Sequence, residues 1–325
     1  MTSMHHYTHN NHYRFGFDGT DWAITSRTDD AVYHWSMGSI RRRIGFRDSC
    51  VEAARTIADS TVGRICVALS GGMDSELICR SLMAAGVDFH AATVRFTDGS
   101  NMHDIRHGLA FCKEHGIRQE VLDINILDFM HDGMWDYIRE FHITSPQFPL
   151  HLWLVDQVDD HLIFGGGDLN LTRPIGQPDG YYNTINPHTS LVHRMMMARG
   201  KTGSPYFYAQ IPEQAWSVIN DDLTRMWLRH SFSMKQHTMK YFKPLLYEKH
   251  FPGLVPRQKK TGFERMEQLD LEIRQRLQSM HGQYMKGIRI PLDEFNSILE
   301  GQTCKIYRND VPGSDADQST GNPIS

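Results

Sequence analysis

The first half of the chain alternates between short strand-forming runs and segments with helical spacing. The run Ile65–Leu69 is apolar throughout, which suits a strand that is buried on both faces of a parallel sheet. Phe89–Phe96 and Arg118–Ile124 are predicted as the next two strands. The segments between these strands place apolar residues three or four positions apart and predict helices that end at Gly86 and Gly116. This order predicts an α/β fold with a parallel, doubly wound sheet and right-handed crossovers.

Helical spacing also precedes and follows this core. Further helices are predicted at Phe46–Ala58, Ile126–Phe141 and from Leu150 to Asp160, then a short strand at Leu162–Phe164, and later helices at Ala209–Leu228 and Met266–Met280. Proline and glycine become frequent after Arg173, so a boundary is predicted near residue 175. The predicted units are an extension at 1–46, an α/β domain at 47–175, a mainly helical region at 176–308 and a disordered tail at 309–325.

Composition describes a water-soluble protein without a dominant charge. The chain has 325 residues, of which 40% are hydrophobic and 22% charged, and its formal net charge is −4. No apolar run approaches the length that crosses a bilayer, and the N-terminus lacks the order of a signal peptide, so we expect a cytoplasmic protein with no membrane partner. The absence of a basic excess disfavours a dedicated nucleic-acid binder, although nucleic acid stays open as a partner.

The cysteines do not form the pairs that metal or sulfur chemistry uses. The five cysteines are Cys50, Cys66, Cys79, Cys112 and Cys304, and none lie in a C-x-x-C pair. We interpret them as buried thiols. Their spacing therefore disfavours sulfur transfer and iron–sulfur chemistry. The histidine-rich segment at residues 5–12 has no diagnostic metal spacing and is interpreted as a solvated tail.

The turn between the first strand and its helix carries the clearest chemistry. It reads Ser70-Gly-Gly-Met-Asp-Ser75. Adjacent glycines let main-chain N–H groups approach an anion, and the helix that begins near Ser75 directs its positive end to the same place. The hydroxyls of Ser70 and Ser75 add donors. A carboxylate beside bound phosphates is explained by a bridging cation, so Asp74 predicts Mg²⁺.

This six-residue turn resembles the PP-loop, Ser-Gly-Gly-X-Asp-Ser, of the ATP pyrophosphatase superfamily. The resemblance implies that the chain binds ATP with Mg²⁺ and cleaves it between the α and β phosphates. It assigns the nucleotide to Ser70, Gly71, Gly72, Asp74 and Ser75, and the adenine to the main chain of Leu69 and Val94. The other phosphate-loop candidate, Gly200-Lys-Thr202, lacks the upstream glycine of a kinase-type P-loop.

Two later stretches are similar to the synthetase domain of asparagine and β-lactam synthetases. The strand at Leu162–Phe164 leads into Gly165, Gly166, Gly167 and Asp168, where the resemblance implies nucleotide contacts and a second metal ligand at Asp168. A basic loop ends in Lys260-Thr-Gly-Phe263, and the alignment on Phe263 makes Lys260 the catalytic lysine that neutralises phosphate charge. Short motifs of this kind also occur as ordinary glycine turns and solvated charge runs.

The resemblance implies an AMP-forming amidoligase. A small-molecule carboxylate would be adenylated and then attacked by an amine. Residues 1–64 lack the cysteine after Met1 and the length of a glutaminase domain, so free ammonia, another amine or a separate ammonia-supplying subunit is expected. Two alternatives stay open: a PP-loop enzyme that modifies a nucleotide, nucleobase or nucleic acid, and a non-catalytic nucleotide-binding module.

Overall fold

A computed structural model describes most of the chain between residues 33 and 309. The described residues are 33–35, 38–141, 143, 145–166, 170–172, 180–183, 191–230, 242–257, 262–281, 289–302 and 307–309. Cys304, the histidine-rich segment and the tail after 309 lie outside them, as do Gly167, Asp168 and Lys260. No helix in the described part is both long enough and apolar enough to span a membrane.

The described residues contain ten strands, which form three sheets. The strands are β1 (Tyr33–Trp35), β2 (Ile65–Ala68), β3 (His90–Phe96), β4 (Gln119–Ile124), β5 (His161–Ile163), β6 (Asn170–Thr172), β7 (Tyr181–Asn183), β8 (Gly203–Ser204), β9 (Arg289–Pro291) and β10 (Tyr307–Asn309). The central sheet has the order β4-β3-β2-β5-β8, and every neighbouring pair is parallel. The predicted α/β fold class with a parallel sheet is confirmed.

In the same described ranges, twelve helices surround the sheets. They are α1 (Phe46–Ser60), α2 (Met73–Ala85), α3 (Met102–His115), α4 (Ile126–Asp128), α5 (Met134–Phe141), α6 (Phe148–Gln157), α7 (Leu191–Arg199), α8 (Pro212–Asn220), α9 (Asp222–His230), α10 (Lys243–His250), α11 (Glu267–His281) and α12 (Leu292–Leu299). A π-helical turn, Phe129–Gly133, joins α4 to α5. The left-handed glycines Gly86 and Gly116 end α2 and α3, as predicted.

The central sheet separates two hydrophobic clusters. Ile65 and Val67 belong to the cluster that includes buried side chains of α1, α2 and α3. Cys66, between them, belongs to the cluster that includes side chains of α5, α6, α7 and α11. Successive residues of a strand point to opposite faces, so β2 is covered on both sides. The four described cysteines are buried and unpaired, as expected.

Two predicted helices are interrupted in the structure. The helix predicted over Ile126–Phe141 contains a π-helical turn. The single helix expected over Ala209–Leu228 is two helices, because the chain leaves helical geometry at Asp221, whose side chain accepts from the Leu223 N–H at 2.9 Å and caps α9.

Asn101 is the N-cap residue of α3, but its side chain makes no capping hydrogen bond. Its side chain instead accepts from the Phe96 N–H and donates to the Val94 carbonyl, both at 3.0 Å.

The second half of the chain contributes strands as well as helices. The short strand β8 joins the central sheet from beyond the boundary predicted near residue 175. β6, β7 and β9 form an antiparallel sheet, and β1 pairs with β10. The sheet that carries the PP-loop resemblance therefore uses residues from both sides of the predicted boundary.

Candidate nucleotide site

The turns after β2 and β5 lie side by side at the carboxyl edge of the central sheet. β2 pairs with β3 on one side and with β5 on the other, so the strand order reverses here, which is where open α/β sheets bind ligands. A Cβ added to Gly165 would lie 3.4 Å from the Cβ of Asp74. The structure thus places Gly165 beside the PP-loop-like turn, and the roles of Gly165 and Gly166 in nucleotide binding stay predictions.

Gly71 allows the first turn to press against the start of α3. Its φ is +83°, and an added Cβ would lie 2.1 Å from the main-chain oxygen of Asp104. No residue with a side chain fits this position unchanged. The turn also has internal hydrogen bonds: the Ser75 hydroxyl donates to the Gly72 carbonyl at 3.0 Å, and the Gly72 N–H donates to Ser70 Oγ at 3.3 Å. The turn is held in shape before any ligand arrives.

The helix after this turn begins two residues earlier than predicted. Met73 is its first residue and Gly72 its N-cap. The first-turn N–H groups of an α-helix have no partner within the helix and carry its positive end. Together with the glycine turn, they give the carboxyl edge of β2 the hydrogen-bond donors and the positive potential that a phosphate group needs.

Asp74 is held by three side chains from distant parts of the chain. Its Oδ1 lies 2.6 Å from Lys243 Nζ and accepts from the Tyr247 hydroxyl at 2.8 Å. The Tyr208 hydroxyl donates to its main-chain oxygen at 2.7 Å. The Asp74 side chain remains 35% exposed, so the carboxylate still faces the edge of the sheet.

The surroundings of Asp74 fit a cation. An oxygen ligand of this kind is what Mg²⁺ prefers, and the structure already has a positive group, the Lys243 ammonium, at Oδ1. Mg²⁺ at that oxygen requires Lys243 to move. Among the residues that the structure describes, no group of three or more His, Cys, Asp or Glu side chains could hold a metal. The second predicted ligand, Asp168, lies outside the described residues, so its role stays a prediction.

A buried ion-pair cluster ties the predicted basic loop to α2. Glu76 is 4% exposed and accepts from Arg80 Nε at 2.8 Å and from Arg257 at 2.5 Å. Arg80 also donates to the Gly253 carbonyl at 3.0 Å. Burial, with the nearby cations Arg257 and Arg106, lowers the pKa of His107 on α3. The cluster thus places two arginines around one buried carboxylate.

The segment that contains Lys260 is anchored at this edge on both sides. Arg257 precedes it and is fixed on Glu76. Gly262 follows it and has a φ of +88°. Gly262 packs against Asn101, because a Cβ added to Gly262 would lie 3.0 Å from the Cβ of Asn101. Phe263 then contacts Phe96 edge-on, with ring centroids 5.9 Å apart. Lys260 itself lies outside the described residues, and its catalytic role stays a prediction.

The predicted adenine contacts involve main-chain groups that already have partners. The Leu69 N–H donates to the Ala92 carbonyl at 2.8 Å, and the Leu69 carbonyl accepts from the Thr93 hydroxyl at 2.8 Å. The Val94 carbonyl accepts from Asn101. A base at this edge would share these groups, since a carbonyl oxygen has two lone pairs.

No sequence motif points to Lys243, Tyr247 or Tyr208. Lys243 and Tyr247 are separated from Asp74 by 169 and 173 positions, and no short motif surrounds them. The sequence contains one indication, because Lys243 is followed by Pro244 and is the first residue of a helix. A cation at a helix N-terminus opposes the helix dipole. Such a placement suggests that the lysine serves an anion.

Comparisons with known proteins give a slight likeness in shape. No protein-family model and no curated protein matches the sequence. Among solved structures, a predicted tRNA methyltransferase subunit from Methanocaldococcus jannaschii is 17% identical with a TM-score of 0.28, over 44% of this chain and 66% of that one. An NMN synthetase from Francisella tularensis is 11% identical with a TM-score of 0.31, over 74% and 95% of the two chains.

An NH3-dependent NAD synthetase from Campylobacter jejuni is 13% identical with a TM-score of 0.30, over 74% of this chain and 96% of that chain. None of these three structures is named as an asparagine synthetase. The similarity is too small to carry an argument about activity, and the functional conclusion depends on the residues of this chain.

Proposed function

We propose that this chain binds ATP at the carboxyl edge of β2 and β5 and cleaves it between the α and β phosphates. The observation that carries the proposal is the turn at Gly71, which presents a helix start beside Asp74 and Lys243 at the point where the strand order reverses. A turn that holds the two outer phosphates leaves the α phosphorus accessible to a nucleophile. Pyrophosphate is then the leaving group.

The first candidate acceptor is a small-molecule carboxylate. One carboxylate oxygen forms a bond to the α phosphorus while the bond to the bridging oxygen of pyrophosphate breaks, which gives an acyl-adenylate. An amine then attacks the acyl carbon, loses a proton and releases AMP, so that an amide forms. The predicted Lys260 would neutralise charge on the phosphates. Mg²⁺, when bound, would share that role, with Asp74 and the predicted Asp168 as its ligands.

The second candidate acceptor is a carbonyl oxygen of a nucleotide, nucleobase or nucleic acid. The same turn would support this reaction, because adenylation of any oxygen nucleophile requires the outer phosphates to be bound in the same way. Free nucleotides are the simplest members of this class to test. A non-catalytic nucleotide-binding module is the remaining alternative.

Phosphorus NMR of the products tests the proposal. The protein is incubated with ATP and Mg²⁺, first alone and then with ammonia plus either pooled carboxylic acids or pooled nucleotides. We expect equal amounts of AMP and pyrophosphate in one of the supplemented reactions. ADP and phosphate would contradict the cleavage site, and ATP binding without cleavage in every pool would favour the non-catalytic module. Asp74→Asn should reduce turnover at least about 100-fold, whereas the exposed Asp88→Asn should not.

A further inference from the structure

Lys243 occupies a position that stability alone does not explain. It is the first residue of α10, so its charge lies at the positive end of its own helix. Its partner Asp74 lies in the first turn of α2, at the positive end of a second helix. A lysine contributes more to stability near a helix C-terminus. Two helix N-termini and an ammonium around one carboxylate form a site that favours additional negative charge.

Asp74 has hydrogen-bond partners besides Lys243. Tyr247 donates to the same oxygen, and its ring is fixed between Phe46 and Tyr208, with centroid distances of 5.8 and 6.1 Å and nearly parallel planes. Tyr208 holds the Asp74 main chain. The ammonium of Lys243 lies 5.6 Å from the Tyr247 ring centroid. The two tyrosines are therefore positioning residues, and Lys243 can change partner without disturbing the turn.

We infer that Lys243 is a phosphate ligand of the proposed nucleotide site, and that it exchanges Asp74 for phosphate oxygens when a nucleotide binds. A lysine side chain carries its point charge on a flexible stem of four carbons, which suits such an exchange. The exchange also removes the ammonium charge from Asp74 Oδ1, so that a cation can approach this oxygen. This inference rests on the proposed function and deepens it, because it assigns a phosphate contact to a residue outside the recognised turn.

Two binding measurements test the inference without depending on turnover. Calorimetry with α,β-methylene-ATP and Mg²⁺ compares the wild type with Lys243→Met, Lys243→Arg and the control Lys201→Met. We expect Lys243→Met to weaken binding about 10- to 100-fold, as the loss of a charged hydrogen bond implies, and Lys243→Arg to weaken it less. Mn²⁺ binding without nucleotide, followed by electron paramagnetic resonance, should become tighter in Lys243→Met, because the ammonium no longer competes for Asp74.

The outcomes separate this inference from the proposed function. Unchanged nucleotide affinity in Lys243→Met would overturn the phosphate contact, and unchanged Mn²⁺ affinity would overturn the exchange; neither result affects the proposed function. Failure of the wild type and of Lys201→Met to bind the analogue would contradict the proposed function itself. Melting curves of all variants show whether each protein is folded at the temperature of the binding measurement.

Discussion

The two edges of the central sheet use similar residues for different purposes. At the amino edge, Lys201 precedes β8 and its ammonium donates to the carbonyls of Val155, Asp156 and Val158 at 2.8–3.0 Å, where α6 ends. At the carboxyl edge, Lys243 pairs with Asp74 where α2 and α10 begin. The two lysine side chains are almost equally exposed, at 20% and 18%. Burial therefore does not distinguish them, but the helix end that each one faces does.

The glycines of the two edges also serve different structural purposes. Gly71 and Gly86 flank α2 and both have positive φ, at +83° and +71°. A Cβ at Gly86 would meet no atom within 4 Å, whereas a Cβ at Gly71 would collide with the main chain of α3. Gly86 is needed for its backbone conformation alone, and Gly71 also for close approach. Packing is therefore tighter around the turn at the carboxyl edge than around the end of α2 at the amino edge.

The largest effect is expected from Gly71→Ala. The left-handed conformation and the collision with Asp104 should together destabilise the protein by about 3 kcal/mol or more and abolish nucleotide binding. Gly86→Ala is the matched control and should cost about 1 kcal/mol with nucleotide affinity unchanged. Chemical denaturation and calorimetry measure the two quantities. Equal effects of the two substitutions on binding would remove the distinction between the edges.

A smaller effect on stability is expected at low pH, from the protonation of a histidine near the carboxyl edge. His193 is 1% exposed and stacks on Tyr206, which forms a β-bridge with Gly165. Burial lowers the pKa of His193 from 6.5 to about 4. The unfolded chain therefore binds this proton first, so stability is full above pH 6.5 and is lost as the pH falls. The loss should reach about 3 kcal/mol at pH 4.

Denaturation of the wild type and His193→Phe at pH 7 and pH 4 checks this expectation. The variant lacks the titrating group and should lose less stability over the same range. Below pH 4 both proteins should lose further stability as Asp221 becomes protonated. Burial alone would raise the pKa of Asp221, but hydrogen bonds from Lys249 and His250 hold it below its ordinary value. An equal loss in both proteins between pH 7 and pH 4 would rule out His193 as the source.

The smallest effect is expected from Lys201→Met. Its ammonium satisfies three carbonyls at the end of α6, so its loss should lower stability by about 2 kcal/mol and leave nucleotide affinity unchanged. Lys243→Met should show the reverse, with a small change in stability because a partly exposed ion pair contributes little. Thermal or chemical denaturation of the two variants measures this contrast. A nucleotide defect in Lys201→Met would contradict the assignment of the amino edge to structure.

The sequence predicts the parts of the molecule that depend on local pattern. The run Ile65–Leu69 and the glycines at 86 and 116 were sufficient to predict β2 and the ends of α2 and α3, because burial and helix termination are read over a few residues. The break at Asp221 was missed because helical spacing continues across it. The two-residue strand β8 is too short to leave a periodic signal.

The candidate site could be predicted in part for the same reason. The Ser70–Ser75 turn is contiguous and its chemistry is local, whereas the contacts of Asp74 come from residues far along the chain, which no short motif records. The fragment Gly200-Lys-Thr202 shows the opposite case. It resembles part of a phosphate loop, but Lys201 serves a helix C-terminus. Long-range packing, and not the motif alone, decides which lysine is available to an anion.

A crystal structure with α,β-methylene-ATP and Mg²⁺ would show directly whether the turn after β2 and Lys243 bind the phosphates. We predict that the two outer phosphates lie against the main chain of Gly71–Ser75, with Lys243 Nζ within hydrogen-bond distance of a phosphate oxygen and no longer on Asp74. Phosphates bound elsewhere, or a nucleotide at the turn with Lys243 still paired to Asp74, would contradict it.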